Sequence, residues 1–386
     1  MRPKKLANPD PNYQERLEQE SNFHFHTENG KQYWVDDRYF EFDREFGDKM
    51  YDATKEVWDM CLKAVQHVMD NKLYSKFHIP AYMIPHIENS WNNETPSVYG
   101  RFDFGLDQIT GNLKMLEFNA DTPTSLFECG VVQWQWKEHY FKSLSTYDQF
   151  TSIHDALIEH FKYLKEYFNG ETLHFTSVRD SIEDLTNVEY LRDCALQAGV
   201  NTKFLYIDEL GWDETNKVFV DLEDEVITDI FKLYPWEWMV NEKFGKNVVR
   251  DQSNTNWIEP SWKMILSNKA ILPILWELFP NNEYLLESYF EGPKEMKDYV
   301  VKPLLSREGA NVTIYRNGEK TEESVGEYGE EGMIYQQFVD LPHFDEGYII
   351  LGSWMVGEES VGMTVRESDG RITDNISRFV PHVLVI

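Results

Sequence analysis

Residues 100–121 read GRFDFGLDQITGNLKMLEFNAD, and they constrain the fold more than any other stretch of the chain. Phe102, Phe104 and Leu106 alternate with Arg101, Asp103 and Asp107, and Leu116 and Phe118 alternate with Glu117 and Asn119. Period-two alternation predicts two strands, and Thr110-Gly111-Asn112 between them predicts a hairpin turn. Side chains two positions apart share one face of a strand. A loop centred near Thr110 therefore sets Asp103 opposite Glu117 and Arg101 opposite Asn119, with the apolar residues on the other face.

As bare structure that polar face is costly, because carboxylates directly across a ladder repel. The Asn119 amide beside them completes an all-oxygen donor set. Hard oxygens at this density suit Mg2+, which keeps some of its waters and is completed by nucleotide phosphates. Arg101 argues against a high-affinity calcium cage and suits a place where phosphate charge develops. The competing reading is an amphipathic surface hairpin whose charges are solvated, and spacing alone leaves both open.

A chain of 386 residues is long enough for roughly two to three domains. A hydrophobic share of 41%, with 15% aromatic, supports large packed cores rather than disorder. With 67 acidic against 37 basic residues the formal net charge is −30, and no basic stripe interrupts it, which argues against nucleic acid as a partner. Such a field attracts cationic small molecules such as amines, and it equally serves plain solubility. Cys61, Cys129 and Cys194 are too widely spaced for a zinc site or a disulfide framework, which fits a reducing cytoplasm. Residues 1–20 carry basic side chains with no apolar run behind them, so no signal peptide is expected, and no stretch approaches a membrane span.

Residues 1–20 read as a frayed polar lead, residues 33–46 as extended structure entering a helix over 49–69, and residues 80–100, with three prolines, as loop. After the hairpin, Pro123 among Thr122, Thr124 and Ser125 predicts the start of a helix over 126–147. Its N-terminus can hold an anion such as a carboxylate, or simply be capped by its own hydroxyls. A helix over 152–168 precedes a β-α-β unit made of strand 173–178, a helix over 182–198 closed by Gly199, and strand 203–207. Residues 208–226 read as an acidic loop, 227–233 as a strand, and 262–266 and 268–279 as helices. The last third is antiparallel and β-rich, with strands expected at 300–302, 311–316, 332–338, 348–356 and 360–366. Grouped, these elements suggest a hairpin-bearing N-terminal region over 1–150, a small α/β domain over 151–240 and a β-rich region over 241–386.

Lys302 lies near the end of the strand Tyr299-Val300-Val301-Lys302-Pro303, and Ser306-Arg307-Glu308-Gly309-Ala310-Asn311 follows as a turn. A lysine at a strand end, followed by a small-residue loop with an arginine, can cover nucleotide phosphates with N–H groups and cations. It is not a Walker A loop, since GxxxxGK followed by Ser or Thr is absent, and most such turns are only turns. Lys269, near a helix start, is either a second such cation or a solvated surface lysine. Tyr335-Gln336-Gln337-Phe338 reads as an edge able to present backbone groups to an adenine ring. Arg366 lies in an apolar run, where arginine is more often paired to a carboxylate than catalytic, and Asp374-Asn375 lies a few residues on. No Ser/His/Asp set, HExxH or GxGxxG is present, and the eleven histidines are scattered.

Four ordered motifs carry a resemblance: RFDFGLD through LEFNADTPTS, KAILPILWELFP through LLESYF, VVKPLLSREGANV, and YQQF. Together they resemble the synthetase domain of the glutathionylspermidine synthase family, and within it the shorter stand-alone bacterial members, from about residue 20 to the C-terminus. The resemblance implies an ATP-grasp fold in a permuted order, an α+β or α/β class with antiparallel sheets around the ATP site and a small preATP-grasp-like α/β domain. It implies a ligase that joins a carboxylate to an amine through an acyl-phosphate, with ATP and Mg2+ as cofactors. Asp103, Glu117 and Asn119 would hold Mg2+; Lys269 and Lys302 would bind the phosphates, with Gln336 beside the adenine. Arg101 and Arg366 would stabilise the transferring phosphoryl group, and Arg307 would ride the loop that closes over it. Thr122, Thr124 and Ser125 match the positions that contact the family's acid substrate, and Glu183 and Asp184 its amine pocket.

The same Glu183 and Asp184 equally suit a helix N-terminus decorated with acids. No N-terminal stretch is long enough to encode the family's amidase domain, so hydrolysis of the product is not expected. A small acid or peptide and an amine such as a polyamine are the expected substrates, in a cytoplasmic protein without nucleic-acid or membrane partners. Two other classes stay open: an ATP-binding protein without ligase turnover that serves a regulatory or assembly partner, and a phosphotransferase whose product is the phosphorylated acid.

Overall fold

In the computed structural model, which describes residues 1–28, 30–344, 346–373 and 377–386, the hairpin forms in the register its alternation predicts. Strands Tyr99–Leu106 and Leu113–Asn119 pair antiparallel, with Arg101 opposite Asn119 and Asp103 opposite Glu117. The register then slips, so that Phe104 pairs with Met115. A bulge leaves one strand with an extra residue, here Leu116. Leu116 therefore does not join Phe118 on the apolar face, where strict alternation places it; Met115 takes that position, and Leu116 lines the same cleft as Glu117.

The hairpin is one edge of a six-stranded sheet. Tyr99–Leu106 pairs with Gly347–Val356, which pairs in turn with Glu359–Ser368 and then Arg378–Val380. Gly352 stands opposite Asp103, and a Cβ there would come within 3.1 Å of Arg101 Cδ. Its bare backbone is what gives the Arg101 side chain room against the sheet. Helix Arg44–Asp70 buries Met50, Val57, Trp58, Cys61, Val65 and Val68 in the main core, and Asp43 caps it by accepting from Phe46 N–H at 2.8 Å. Tyr51, on the same helix, is exposed, and its hydroxyl donates to Glu359 at 2.8 Å.

The β-rich last third is split between two sheets. A five-stranded antiparallel sheet runs in the order Ser288–Tyr289, Met333–Gln337, Tyr299–Pro303, Thr313–Arg316, Glu319–Glu323. The strand carrying Gln336 is thus an inner strand, not the edge that its sequence suggests; its two-residue neighbour is too short to show a period. The β-α-β unit is present: Thr172–Ser177 and Asn201–Tyr206 pair parallel around helix Ile182–Gln197, which closes on Gly199 at φ 76°. Asp229–Lys232 and Asn256–Ile258 complete this parallel sheet on the other side of Thr172–Ser177.

Four segments differ from expectation. Residues 1–20 are not a frayed lead: Arg2–Lys5 pairs with Arg38–Asp43, and helix Tyr13–Ser21 buries Tyr13 and Leu17. The proline-bearing segment 80–100 contains helix Ile84–Asn92, with Pro85 in its first turn, where a missing N–H costs nothing. The helix after Pro123 ends at Phe141, and Tyr147–Asp148 turns back to pair with Leu384 and Val385. The acidic segment 208–226 holds a small hairpin, Gly211–Asp213 with Val218–Val220. There the carboxylates of Asp221, Glu223 and Glu225 gather on Lys203 Nζ at 2.6, 3.1 and 2.8 Å, which offsets their mutual repulsion. Asp374-Asn375 lies outside the described residues.

Candidate active site

The polar face of the hairpin is the wall of a cleft between the six-stranded and five-stranded sheets. One end is apolar, formed by Leu116, Val300, Ile314, Val339, Leu341 and Ile350. The other end is charged. Arg101 donates through Nε and Nη2 to both oxygens of Asp103, at 2.7 and 3.0 Å, and through Nη1 to the Thr124 carbonyl at 2.7 Å. The Asn119 amide donates to Asp103 Oδ2 at 3.0 Å. Across the ladder, Glu117 Oε2 lies 3.0 Å from Lys269 Nζ, which also donates to the Ser306 carbonyl at 2.7 Å. Lys302 Nζ donates to Gln336 Oε1 at 2.7 Å and to the Leu116 carbonyl at 3.1 Å.

These pairings resolve two alternatives. The hairpin charges are not a solvated surface stripe, and Lys269, only 12% exposed, is not a surface lysine. Burial would raise the Glu117 carboxyl, but Lys269 and Lys302 outweigh it and hold the group well below the usual carboxylate range. Burial, helped by the Lys269 charge and opposed by Glu117, brings the Lys302 amine down to about 8. Two acids and an amide are too few for a self-sufficient cation cage, and among the described residues no three His, Cys, Asp or Glu side chains converge as one. The donors fit a cation that takes its remaining oxygens from a ligand and water.

A second cluster lies beyond Arg101, on the segment that follows Asn119. Its anchor is Asp121, buried, which accepts from Lys232 Nζ at 2.8 Å and from Trp236 N–H at 2.8 Å. Thr122 accepts from Arg307 Nη1 at 2.8 Å. The rest of the Arg307 guanidinium rests on Glu237 Oε1, at 3.2 and 2.6 Å, above the Trp238 ring. Ser125, at φ 71°, places its Oγ 3.5 Å from Arg366 Nη1 and 3.2 Å from the Tyr33 hydroxyl. Arg366 also donates to the Ser377 carbonyl at 3.3 Å. Among the described residues its hydrogen bonds thus go to serine oxygens, where a carboxylate is the more frequent partner, and its guanidinium lies over the Tyr33 ring.

The helix start after Pro123 is not free to hold an anion, and its own hydroxyls do not cap it. The N–H groups of Leu126 and Phe127 donate to Asn187 Oδ1, at 3.0 and 3.2 Å, from the neighbouring helix. Glu183 and Asp184 open that neighbouring helix, where Ser181 Oγ accepts from Asp184 N–H at 3.1 Å. Their surroundings shift both carboxyls. Burial pushes Glu183 upward against the pull of Arg366 and a hydrogen bond with Thr124. Burial, then the Glu183 charge, push Asp184 up to about 6. Every candidate read from the sequence therefore falls in one of two touching clusters, with Arg101 and Thr124 as the contact between them.

Several residues of these clusters are invisible in the sequence. Arg371 lines the mouth of the cleft, held by Glu322 and stacked on Tyr348, but it lies in a turn with no pattern. Tyr33, Glu128 and Glu237 join the second cluster only through tertiary packing. The aromatic-acidic run 234–238 is conspicuous, yet nothing local links Glu237 to Arg307 70 positions away.

Residues 4–385 match the family described as glutathionylspermidine synthase preATP-grasp. A Haemophilus influenzae protein named "Putative acid--amine ligase" is 43% identical over 369 residues, covering 93% of each chain. A trypanothione synthetase of Crithidia fasciculata is 30% identical over 368 residues, covering 88% of this chain and 56% of that protein. A glutathione synthetase-like effector of Globodera pallida superposes with a TM-score of 0.56 at 13% identity, over 90% of this chain and 89% of its own. The fold is thus a mixed α/β architecture of glutathione synthetase-like type. Among the described residues no helix is long and apolar enough to cross a membrane.

Proposed function

Because the chain belongs to the glutathionylspermidine synthase family, we propose that it is an ATP-dependent acid–amine ligase on a permuted ATP-grasp core, joining a small acid or peptide to an amine through an acyl-phosphate. The observation that carries this reading is the convergence of Asp103, Glu117, Lys269, Lys302 and Gln336 on one cleft whose far end is an apolar slot. The slot suits an adenine ring, and the two lysines suit its phosphates. Asp103, Glu117 and Asn119 present the hard oxygens that fit Mg2+, which, bound with ATP, neutralises charge during phosphoryl transfer.

The chain's own residues do the rest. Arg101 and Arg366 carry permanent positive charge to the place where the phosphoryl group meets the acid. Arg307 ties the 306–311 loop to Glu237 and Thr122, and that loop shuts water away from the acyl-phosphate. Thr122, Thr124 and Ser125 offer hydroxyls to the acid. Glu183 and Asp184 draw in the amine: neither forms an ion pair among the described residues, and burial leaves both above their ordinary range. An ammonium group supplies the missing partner.

The test is ADP release with Mg-ATP against acids and peptides crossed with amines, with products read by mass. Glutathione with spermidine is one cell of that matrix. A product of acid plus amine minus water supports the ligase. A stable phosphorylated acid without amine dependence makes the protein a phosphotransferase, and ATP binding without turnover makes it a non-catalytic nucleotide binder. Asp103→Ala and Lys302→Ala should each abolish ADP formation while the protein stays folded; full activity in either overturns the assignment.

A further inference from the structure

A line of hydrogen bonds leads inward from the second cluster. Arg366 Nη1 donates to Ser125 Oγ at 3.5 Å, Ser125 Oγ lies 3.2 Å from the Tyr33 hydroxyl, and that hydroxyl donates to Glu128 Oε1 at 2.6 Å. Arg366 is half-buried, whereas Tyr33, Ser125 and Glu128 are buried, Glu128 completely. Glu128 Oε2 has no hydrogen-bond partner among the described residues. An unpaired carboxyl oxygen this deep is costly, and a purely structural glutamate would have no reason to keep it.

Ser125 and Glu128, on either side of Tyr33 in this line, also depart from regular backbone. Ser125 adopts the left-handed conformation that residues with a Cβ hold only when their surroundings enforce it. Glu128 opens a π-helical stretch, Glu128–Val132, of the rare kind that recurs at functional sites. Together these departures direct a serine and a glutamate three residues apart at one phenol.

The groups that face Glu128 are Tyr33, Glu183, Arg366 and its neighbour Cys129. Burial pushes the Tyr33 phenol and the Cys129 thiol well up, so both stay neutral. Burial, then the charge of Glu183, push the Glu128 carboxyl up to about 7, while Tyr33 and Arg366 pull the other way. Of the Glu128 carboxyl, the Tyr33 phenol and the Cys129 thiol, which form this line or adjoin it, Glu128 is the one able to change charge near neutral pH, while Glu183 beside it is also raised by burial.

We propose that Glu128 accepts the proton that the incoming amine must lose, through Tyr33 and Ser125; this rests on the ligase reading above. An alkylamine arrives as ammonium, which has no lone pair. One N–H bond breaks and its electron pair stays on nitrogen. The proton goes to Ser125 Oγ while Ser125 passes its own to the Tyr33 oxygen and Tyr33 passes its own to Glu128. The neutral amine then forms the C–N bond, the C–O bond to phosphate breaks, and the departing phosphate keeps that electron pair and takes the second nitrogen proton. Glu128 returns its proton along the same line as product leaves. It touches no substrate atom and is a positioning residue that works through Ser125.

The experiment compares two nucleophiles on wild type, Glu128→Gln and Tyr33→Phe, with Mg-ATP and a panel of acids led by glutathione. Hydroxylamine is largely neutral at neutral pH, needs no base and captures an acyl-phosphate as a hydroxamate. Spermidine, or the alkylamine returned by the ligation screen, arrives charged. Both variants should form hydroxamate within about twofold of wild type, with amide kcat down at least about 100-fold and the amine KM little changed. Glu128→Asp should recover part of the amide rate, and the rise of that rate with pH through the neutral range should be absent from Glu128→Gln. Equal loss on both nucleophiles, or undiminished amide formation, overturns the proposal. A wild-type protein that forms no hydroxamate from any acid refutes the ligase reading instead.

Discussion

ATP affinity should fall as pH rises through about 8, and Lys302 is the reason. Its amine, ordinarily at 10.5, is brought to about 8 chiefly by burial, which corresponds to about 3 kcal/mol spent on keeping the charge inside. A bound triphosphate favours the ammonium and raises its pKa again. Protonation and binding are therefore linked: affinity is complete below the free value and declines above it, by up to about tenfold per pH unit, until the bound value is reached. ATP titrated into the magnesium-free protein at pH 8, in two buffers of different ionisation heat, should report uptake of about half a proton. Magnesium is left out because charge beside Glu117 would change the field that opposes the shift. Lys302→Arg keeps its charge throughout this range, so its affinity should be flat with pH even if weaker. A flat wild-type profile from pH 7 to 9, or proton release on binding, would refute the reasoning.

Lys232→Met leaves the Asp121 carboxylate buried without its ammonium and should destabilise the fold by about 3–5 kcal/mol, read as a lower denaturant midpoint. An unchanged midpoint would mean that the pair is better hydrated than its burial allows. Asn187→Ala strips the partner from two N–H groups and should cost about 1–2 kcal/mol in the same assay. Glu183→Gln combined with Asp184→Asn should raise the amine KM about tenfold while ATP binding is untouched; an unchanged KM removes those residues from the amine pocket. Asp103→Asn should retain magnesium-free ATP binding and lose ADP release, whereas loss of both would make Asp103 a scaffold residue.

The polar face of the hairpin was legible because its logic is local. Period two, one turn and four polar residues are enough to put Asp103 across from Glu117, and the structure places them so. The bulge beside them was not legible, since slipping one residue leaves the composition of both strands unchanged. Its effect is specific all the same: Leu116 is diverted into the cleft, where its carbonyl accepts from Lys302, 186 positions away. The β-α-β unit and the strand over 227–233 were legible for the same local reasons, while Asn256–Ile258, which completes their sheet, was not.

What escaped is what tertiary packing alone decides. Local sequence leaves Lys269 readable as a surface lysine because nothing near it is acidic; its partner Glu117 arrives from the hairpin, and Lys269 then helps hold that carboxyl well below the usual carboxylate range. The helix start at Leu126 reads as self-capped because three hydroxylated residues precede it. Once Asn187 takes those N–H groups, the hydroxyls are released for other work, and Ser125 can turn toward Tyr33 and Arg366. A cap supplied from another helix thus frees Thr122, Thr124 and Ser125 from their structural duty. Their competing structural reading fails on physical grounds, independently of any family likeness.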